Sequence, residues 1–162
     1  MVWLCEILTP LLNDGYPRVM ILNGHGGNID TLHVALRLLQ PRFRGSLLSG
    51  ASYWELADRE IAALCEGPRK AVGHACEVET SMVMHLRPEL VRASEIKDDV
   101  EVVPDVLRGL FVAKDMAQRT DHGAVGYPER ASAEKGRRLL NAIVPRVAEV
   151  VESLLREPLP SK

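Results

Sequence analysis

Two short segments of this chain carry residue types whose spacing could do chemistry. The first is Asn23-Gly24-His25-Gly26-Gly27-Asn28, a histidine set among glycines and flanked by asparagines. The second is Gly73-His74-Ala75-Cys76-Glu77-Val78-Glu79-Thr80-Ser81, in which a histidine precedes two glutamates. Imidazole is the commonest biological metal ligand and a ready proton carrier near neutral pH. Taken alone, His25 reads equally as a metal ligand or as a hydrogen-bonding residue that shapes its loop. His74 and Glu77 share a face if the helix already includes His74. Acids in a first helical turn are also favoured by the helix dipole, so capping is the plainer reading of Glu77 and Glu79 by themselves.

The elements around these segments must position them. Residues 2–13 space Leu4, Ile7, Leu8, Leu11 and Leu12 as an amphipathic helix, stopped by Asn13-Asp14-Gly15. The run Arg18-Val19-Met20-Ile21-Leu22 reads as a buried strand of the parallel type, apolar on both faces. The glycine loop follows it at once, and a helix that starts at Ile29 and ends near Pro41 follows the loop. A weaker strand is expected over 46–49, then a helix over 54–65, a break at Gly67-Pro68 and a helix over 76–86. Residues 94–130 are the least regular, with Pro104, Gly109, Gly123, Gly126 and Pro128 as breakers. A closing helix over 132–155 has Ser132 as its N-cap and Glu134 in its first turn. Strands alternating with helices imply an α/β fold with a mainly parallel sheet. Two legible strands are few for a sheet covered on both faces, so further strands are expected outside this chain or from a partner.

The loop sits where a parallel strand ends and a helix begins, the place where open α/β sheets gather ligands. It is not a dinucleotide fingerprint, because the third glycine position holds Ile29 and no acid lies near position 48. It lacks the Gly-Lys-Ser/Thr of a phosphate-binding P-loop, and no G-x-S-x-G elbow accompanies it.

The bulk numbers set bounds. The chain has 162 residues, 46% hydrophobic and 26% charged, with a formal net charge of −2. One domain with a real core is expected, and no basic cluster points to nucleic acid. Cys5, Cys65 and Cys76 form neither a disulfide framework nor a zinc ribbon, and read as reduced thiols of a cytoplasmic protein. The N-terminus does not read as a signal peptide, and no apolar run is long enough to span a bilayer. His33 and His85 read as packed or solvated helix residues, while His122, before a glycine turn, could approach the site.

Taken together, the two segments resemble the creatininase family. Ser52-Tyr53-Trp54 resembles its S-Y-W segment, and Pro88-Glu89-Leu90-Val91 its P-x-L-V. Gly123 to Pro128, followed by Ala131-Ser132-Ala133-Glu134-Lys135-Gly136, resembles its late G-x-x-G-x-P and A-T-A-E-K-G segments. The resemblance covers essentially the whole chain. It implies a three-layer α/β/α amidohydrolase with two divalent metal ions (zinc, manganese or iron) that hydrolyses a C–N bond in a small cyclic or linear amide. It also implies a homo-oligomer, hexameric in several members, with neither nucleic acid nor membrane as partner. Carried over, His25 is a metal ligand, supported by Asn23, Gly24, Gly26, Gly27 and Asn28. Some members carry a ligand glutamate where this chain has Gly27, and Glu77 is expected to replace it. His74 passes a proton to the leaving nitrogen, and Glu79 orients the site. Tyr53 and Trp54 line the substrate pocket, although core packing explains Trp54 equally well.

The family opens with a P-x-G-x-x-E-x-H-G-x-H-x-P segment and an aspartate that supply further ligands. No E-x-H-G occurs in this chain. The expectation is therefore a chain resembling the C-terminal part of such an enzyme, with a misassigned start at Met1 favoured over a gene remnant or over ligands supplied by another chain. The competing expectation is an inactive remnant that serves as an interaction or oligomerisation module.

Overall fold

Two short strands pair in parallel and set the frame of the chain's first part. The computed structural model describes residues 2–101, 106 and 109–161; Met1 and Pro104 lie outside the described residues. Strand β1 (Arg18–Asn23) pairs with β2 (Leu47–Ser52), in a register that sets Val19 beside Leu48 and Asn23 beside Ser52. Helix α1 (Val2–Asn13) precedes β1, and α2 (Ile29–Leu39) connects the strands. A parallel pair requires such a crossover. Helix α1 ends where Tyr16 N–H reaches the Leu11 carbonyl, with Gly15 at φ +87° in the left-handed conformation that closes helices. After β2 come α3 (Tyr53–Leu56), α4 (Asp58–Leu64), α5 (Glu77–Leu86) and the long α6 (Ala133–Arg156).

The chain's contacts group into two compact units. The first holds residues 1–57 and 145–162, and the second holds 58–144. Side chains of β1 alternate across its sheet. Val19 and Ile21 join Leu48 in the cluster built on Leu8, Leu12 and Leu39, from α1 and α2. On the other face, Met20, Leu47 and Ser49 line a cleft with Val151, Leu154 and Leu155 of α6. Helices therefore flank both faces of the pair, as an α/β/α arrangement requires. Arg18 fastens the second layer: its guanidinium donates to the carbonyls of Leu154 and Glu157, groups left open at the end of α6.

The elements follow the expected order, with three differences. Strand β2 runs on to Ser52 because Ala51 and Ser52 pair with Leu22 and Asn23. The helix expected over 54–65 breaks at Ala57, whose φ −119° and ψ 34° leave the helical region. Strand β1 is not buried on both faces: most of it is half-buried and Leu22 is 52% exposed. Among the described residues it has one neighbouring strand, so its other edge lacks a strand partner.

The second unit is held by close backbone approaches. A Cβ on Gly136 would stand 1.9 Å from the Ser81 carbonyl oxygen, so α6 crosses α5 at a distance only glycine permits. Ser132 N–H meets the Ser81 hydroxyl at the same crossing, and the Ser132 hydroxyl accepts from Lys135 N–H as the expected cap of α6. Alanine normally favours a helix interior over glycine by about 1 kcal/mol. Gly136→Ala is nevertheless expected to destabilise the protein by about 2–3 kcal/mol through overpacking against backbone. Urea denaturation measures the change, and a neutral or stabilising result would show that the helices can separate freely.

Candidate functional site

The glycine loop is organised by Asn23, the last residue of β1 and 94% buried. Its side-chain amide donates to the His25 carbonyl at 2.9 Å and to the Ser52 hydroxyl at 3.0 Å. Its oxygen accepts from His25 N–H at 3.2 Å and Asn28 Nδ2 at 3.4 Å. One buried amide thus ties the loop after β1 to the end of β2. A turn over Gly26–Asn28 then leads into α2. His25 stands exposed and extended on this loop. Its imidazole lies over Gly27: a Cβ at position 27 would meet Nε2 at 2.9 Å. The residue expected to cost the site a ligand is thus the one that makes room for the His25 ring. Gly24 and Gly26 have open space around them, so their role is confined to the loop backbone.

Tyr53 and Trp54 follow β2 at the same strand ends. Ser52 and Glu55 form a capping box that starts α3, with Ser52 N–H bound to the Glu55 carboxylate at 2.9 Å. The two aromatic rings meet edge to face, with centroids 5.0 Å apart and planes at 84°. Both are half-buried, so they are neither pure core nor free surface.

The second segment lies in the other unit. His74 exchanges two backbone hydrogen bonds with Val125, N–H to O at 3.1 Å and O to N–H at 2.7 Å. Gly73 is required there, because a Cβ would fall 1.9 Å from the Val125 carbonyl oxygen. Ala75 then turns at φ +44°, a strained value for a residue with a side chain, and α5 begins two residues later. His74 therefore precedes the helix and is half-buried, while Glu77 and Glu79 occupy its first turn.

Glu77 is the centre of this unit's polar interior. It is 3% exposed. Its Oε1 accepts from Glu66 N–H at 2.8 Å and lies 2.5 Å from Lys135 Nζ; its Oε2 accepts from Gly67 N–H at 3.0 Å. Lys135, 5% exposed, also donates to the Arg130 carbonyl and reaches Glu66. Burial pushes the Glu77 carboxyl up, but the two N–H donors and the lysine outweigh it and hold it below the ordinary range. Glu77, expected as a metal ligand, is paired in the structure with Lys135, so a metal on it would have to stand beside that ammonium. In the sequence Lys135 enters only as part of the A-T-A-E-K-G resemblance, with no role assigned to it. The sign of its importance, a lysine among small residues at the crossing with Gly136, appears only once the helices are packed.

Glu79 differs. Its Oε2 is buried and has no hydrogen-bond partner among the described residues. Buried carboxylate oxygens are ordinarily paired, which sets this one apart from those of Glu77. Glu79 lines a cavity of about 340 Å³ that also contains His122, so the third histidine of interest does come near a glutamate of the motif. Cys65 is not a candidate nucleophile. Burial, with Glu77 and Cys76 nearby, pushes its thiol up to about 11.

The family model for creatininase, creatinine amidohydrolase, matches residues 1–151. The chain belongs to the creatininase family. A mycofactocin precursor peptide peptidase from Mycobacterium ulcerans (strain Agy99) is 28% identical over 132 residues, covering 78% of this chain and 45% of the relative. The chain thus spans about half the length of the curated relatives it matches. A crystal structure described as a putative creatinine amidohydrolase from Bacteroides fragilis NCTC 9343 superposes with TM-score 0.81 at 28% identity, covering 99% of this chain and 62% of that one. A manganese creatininase and a mutant creatininase of the Zn-Zn type superpose at 0.71 and 0.72, each 25% identical and covering 92% of this chain and 61% and 60% of theirs. The fold is therefore creatininase-like α/β, and solved relatives of the family carry divalent metals.

The Glu77–Lys135 pair makes a testable demand on stability. Lys135→Met strands a buried carboxylate and is expected to cost about 3–5 kcal/mol. Because the folded-state pKa of Glu77 is depressed, its contribution is fully present above the unfolded value near 4.5 and is lost as pH falls through the lower folded value. Thermal melts from pH 7 to pH 3 should show Glu77→Gln less stable at neutral pH but with a flatter acid limb than the parent. Parallel curves would remove Glu77 from the acid response.

Proposed function

We propose that this chain acts in metal-dependent hydrolysis of a C–N bond in a cyclic or linear amide. The observation that carries the reading is His25: an exposed imidazole laid over Gly27 at the carboxyl end of a parallel strand pair, in a family with manganese and zinc members. That is where α/β sheets place their ligands. The named relatives include a peptide peptidase and creatinine amidohydrolases, so linear and cyclic amides are both open as substrates.

The donors among the described residues do not by themselves complete a metal centre. Among the described residues, no three of His, Cys, Asp and Glu group closely enough to hold an ion, and a catalytic metal takes about three protein ligands. His25 is proposed as one ligand. Glu79, with its buried unpartnered oxygen, is left to hydrogen bonding within its own compact unit. His74 is proposed to carry the proton to the leaving nitrogen. Its backbone is pinned at both N–H and C=O, which confines the imidazole to side-chain rotation. Tyr53 and Trp54 are proposed to line the substrate site, their edge-to-face contact giving a firm wall.

A second reading, a non-catalytic interaction module, draws on the ungrouped donors and on the exposed apolar residues Trp3, Ile7 and Leu22 of the first unit. Titration with zinc or manganese, followed by amide hydrolysis, separates the two. The enzyme reading expects hydrolysis that depends on added metal, and a His25→Ala variant that stays folded while its metal affinity falls about tenfold or more. Metal uptake unchanged by that variant, or a folded protein with no metal-dependent hydrolysis, favours the module.

A further inference from the structure

The cavity beside Glu79 is walled by apolar side chains, among them Val83, Val91 and Ile96, and two cations stand at it, Arg92 and Lys97. Both cations are exposed, and neither has an ion pair or side-chain hydrogen bond among the described residues. Their backbone is not loose. The Arg92 carbonyl accepts from Glu95 N–H at 2.9 Å, which closes a helical turn over Ala93–Glu95. Immediately after Lys97, Asp98 and Glu129 exchange two hydrogen bonds, each backbone N–H to the other's carboxylate. Asp99 then pairs with Gly126 through both backbone groups, and its carboxylate collects Thr120 Oγ1, Asp121 N–H and His122 N–H. The cavity thus joins a carboxylate that lacks a donor to two held cations that lack an anion. Glu95 stands at the same cavity and keeps its net charge near balance, which suits a ligand with both kinds of group.

We propose that this cavity binds the carboxylate-bearing half of an amide, with the carboxylate at Arg92 and Lys97 and the amide N–H at Glu79. The volume of about 340 Å³ is within the range of small-ligand sites and accepts one apolar side chain between the two polar ends. Oε2 of Glu79 is sealed in the free protein, so the ligand meets it by a turn of the terminal carboxylate, a soft torsion. The shared chemistry is an N-acylated amino acid, presented either as a peptide C-terminus or as a free small molecule. Calling this ligand a substrate rests on the hydrolase reading; the binding itself does not.

The test is calorimetric titration of the chain with N-acetyl-leucine, its uncharged amide N-acetyl-leucinamide, and the tripeptide Ala-Ala-Leu. The carboxylate ligand is expected to bind about tenfold more tightly than the amide. That preference should vanish in Arg92→Gln/Lys97→Gln, exposed positions whose replacement leaves the melting temperature in place. Glu79→Gln should weaken both N-acetyl ligands alike. Tripeptide binding as tight as N-acetyl-leucine supports the peptide terminus, and its exclusion supports the small molecule. Equal binding of the charged and uncharged ligands, no binding of either, or a preference that survives the double variant overturns the proposal. Carboxylate binding without hydrolysis overturns the enzyme reading alone, and metal-dependent hydrolysis indifferent to the carboxylate overturns the pocket alone.

Discussion

The second unit depends on one buried ion pair. Glu77 and Lys135 are drawn from segments 58 residues apart, and each is nearly sealed from water. Removing two charges from solvent is expensive, and such a pair persists only where its remaining hydrogen-bonding capacity is met. Here it is met by the N–H groups of Glu66 and Gly67 on one side and the Arg130 carbonyl on the other. The pair therefore fixes the turn after α4, the start of α5 and the approach to α6 together. Close glycine contacts at positions 73 and 136 hold the same segments from the backbone side.

That constraint has a consequence for the two glutamates of the motif. They stand two residues apart in one helical turn, yet they have opposite surroundings. Glu77 faces inward and is satisfied by the chain; Glu79 lines a cavity and carries an oxygen the described chain leaves unpaired. Holding the first carboxylate rigidly places the second without asking it to contribute to stability. A functional group can afford an unsatisfied atom when a neighbour secures the backbone beneath it.

The glycine loop is organised on the same plan with neutral groups. Asn23 is the buried hub, and His25 is the exposed product, free at its ring because every loop constraint is met by the asparagine. Pairing of β1 with β2 brings the loop and the Ser52-Tyr53-Trp54 segment to one end of the sheet. An exposed histidine and an aromatic pair therefore share a platform within the first unit.

Much of this was legible in the residue order. Helix periodicity placed α1, α5 and α6 within a residue and α2 within about two, because each carries an apolar stripe or a clear stop or cap. The two strands and their parallel pairing followed from apolar runs joined by a helix, and the family followed from motif spacing. The break at Ala57 was not legible, since nothing in its neighbours' propensities marks it. The exposed side of β1 was not legible either, because an apolar run reads alike whether or not a second layer covers it. The site divides in the same way. The sequence by itself determined which residues could do chemistry: His25, His74, Glu77 and Glu79. Tertiary structure alone decided what each carboxylate does. Spacing along one helix turn cannot say which oxygen meets a lysine 58 residues away and which meets a cavity; only packing sets the partners and the solvent around a charge.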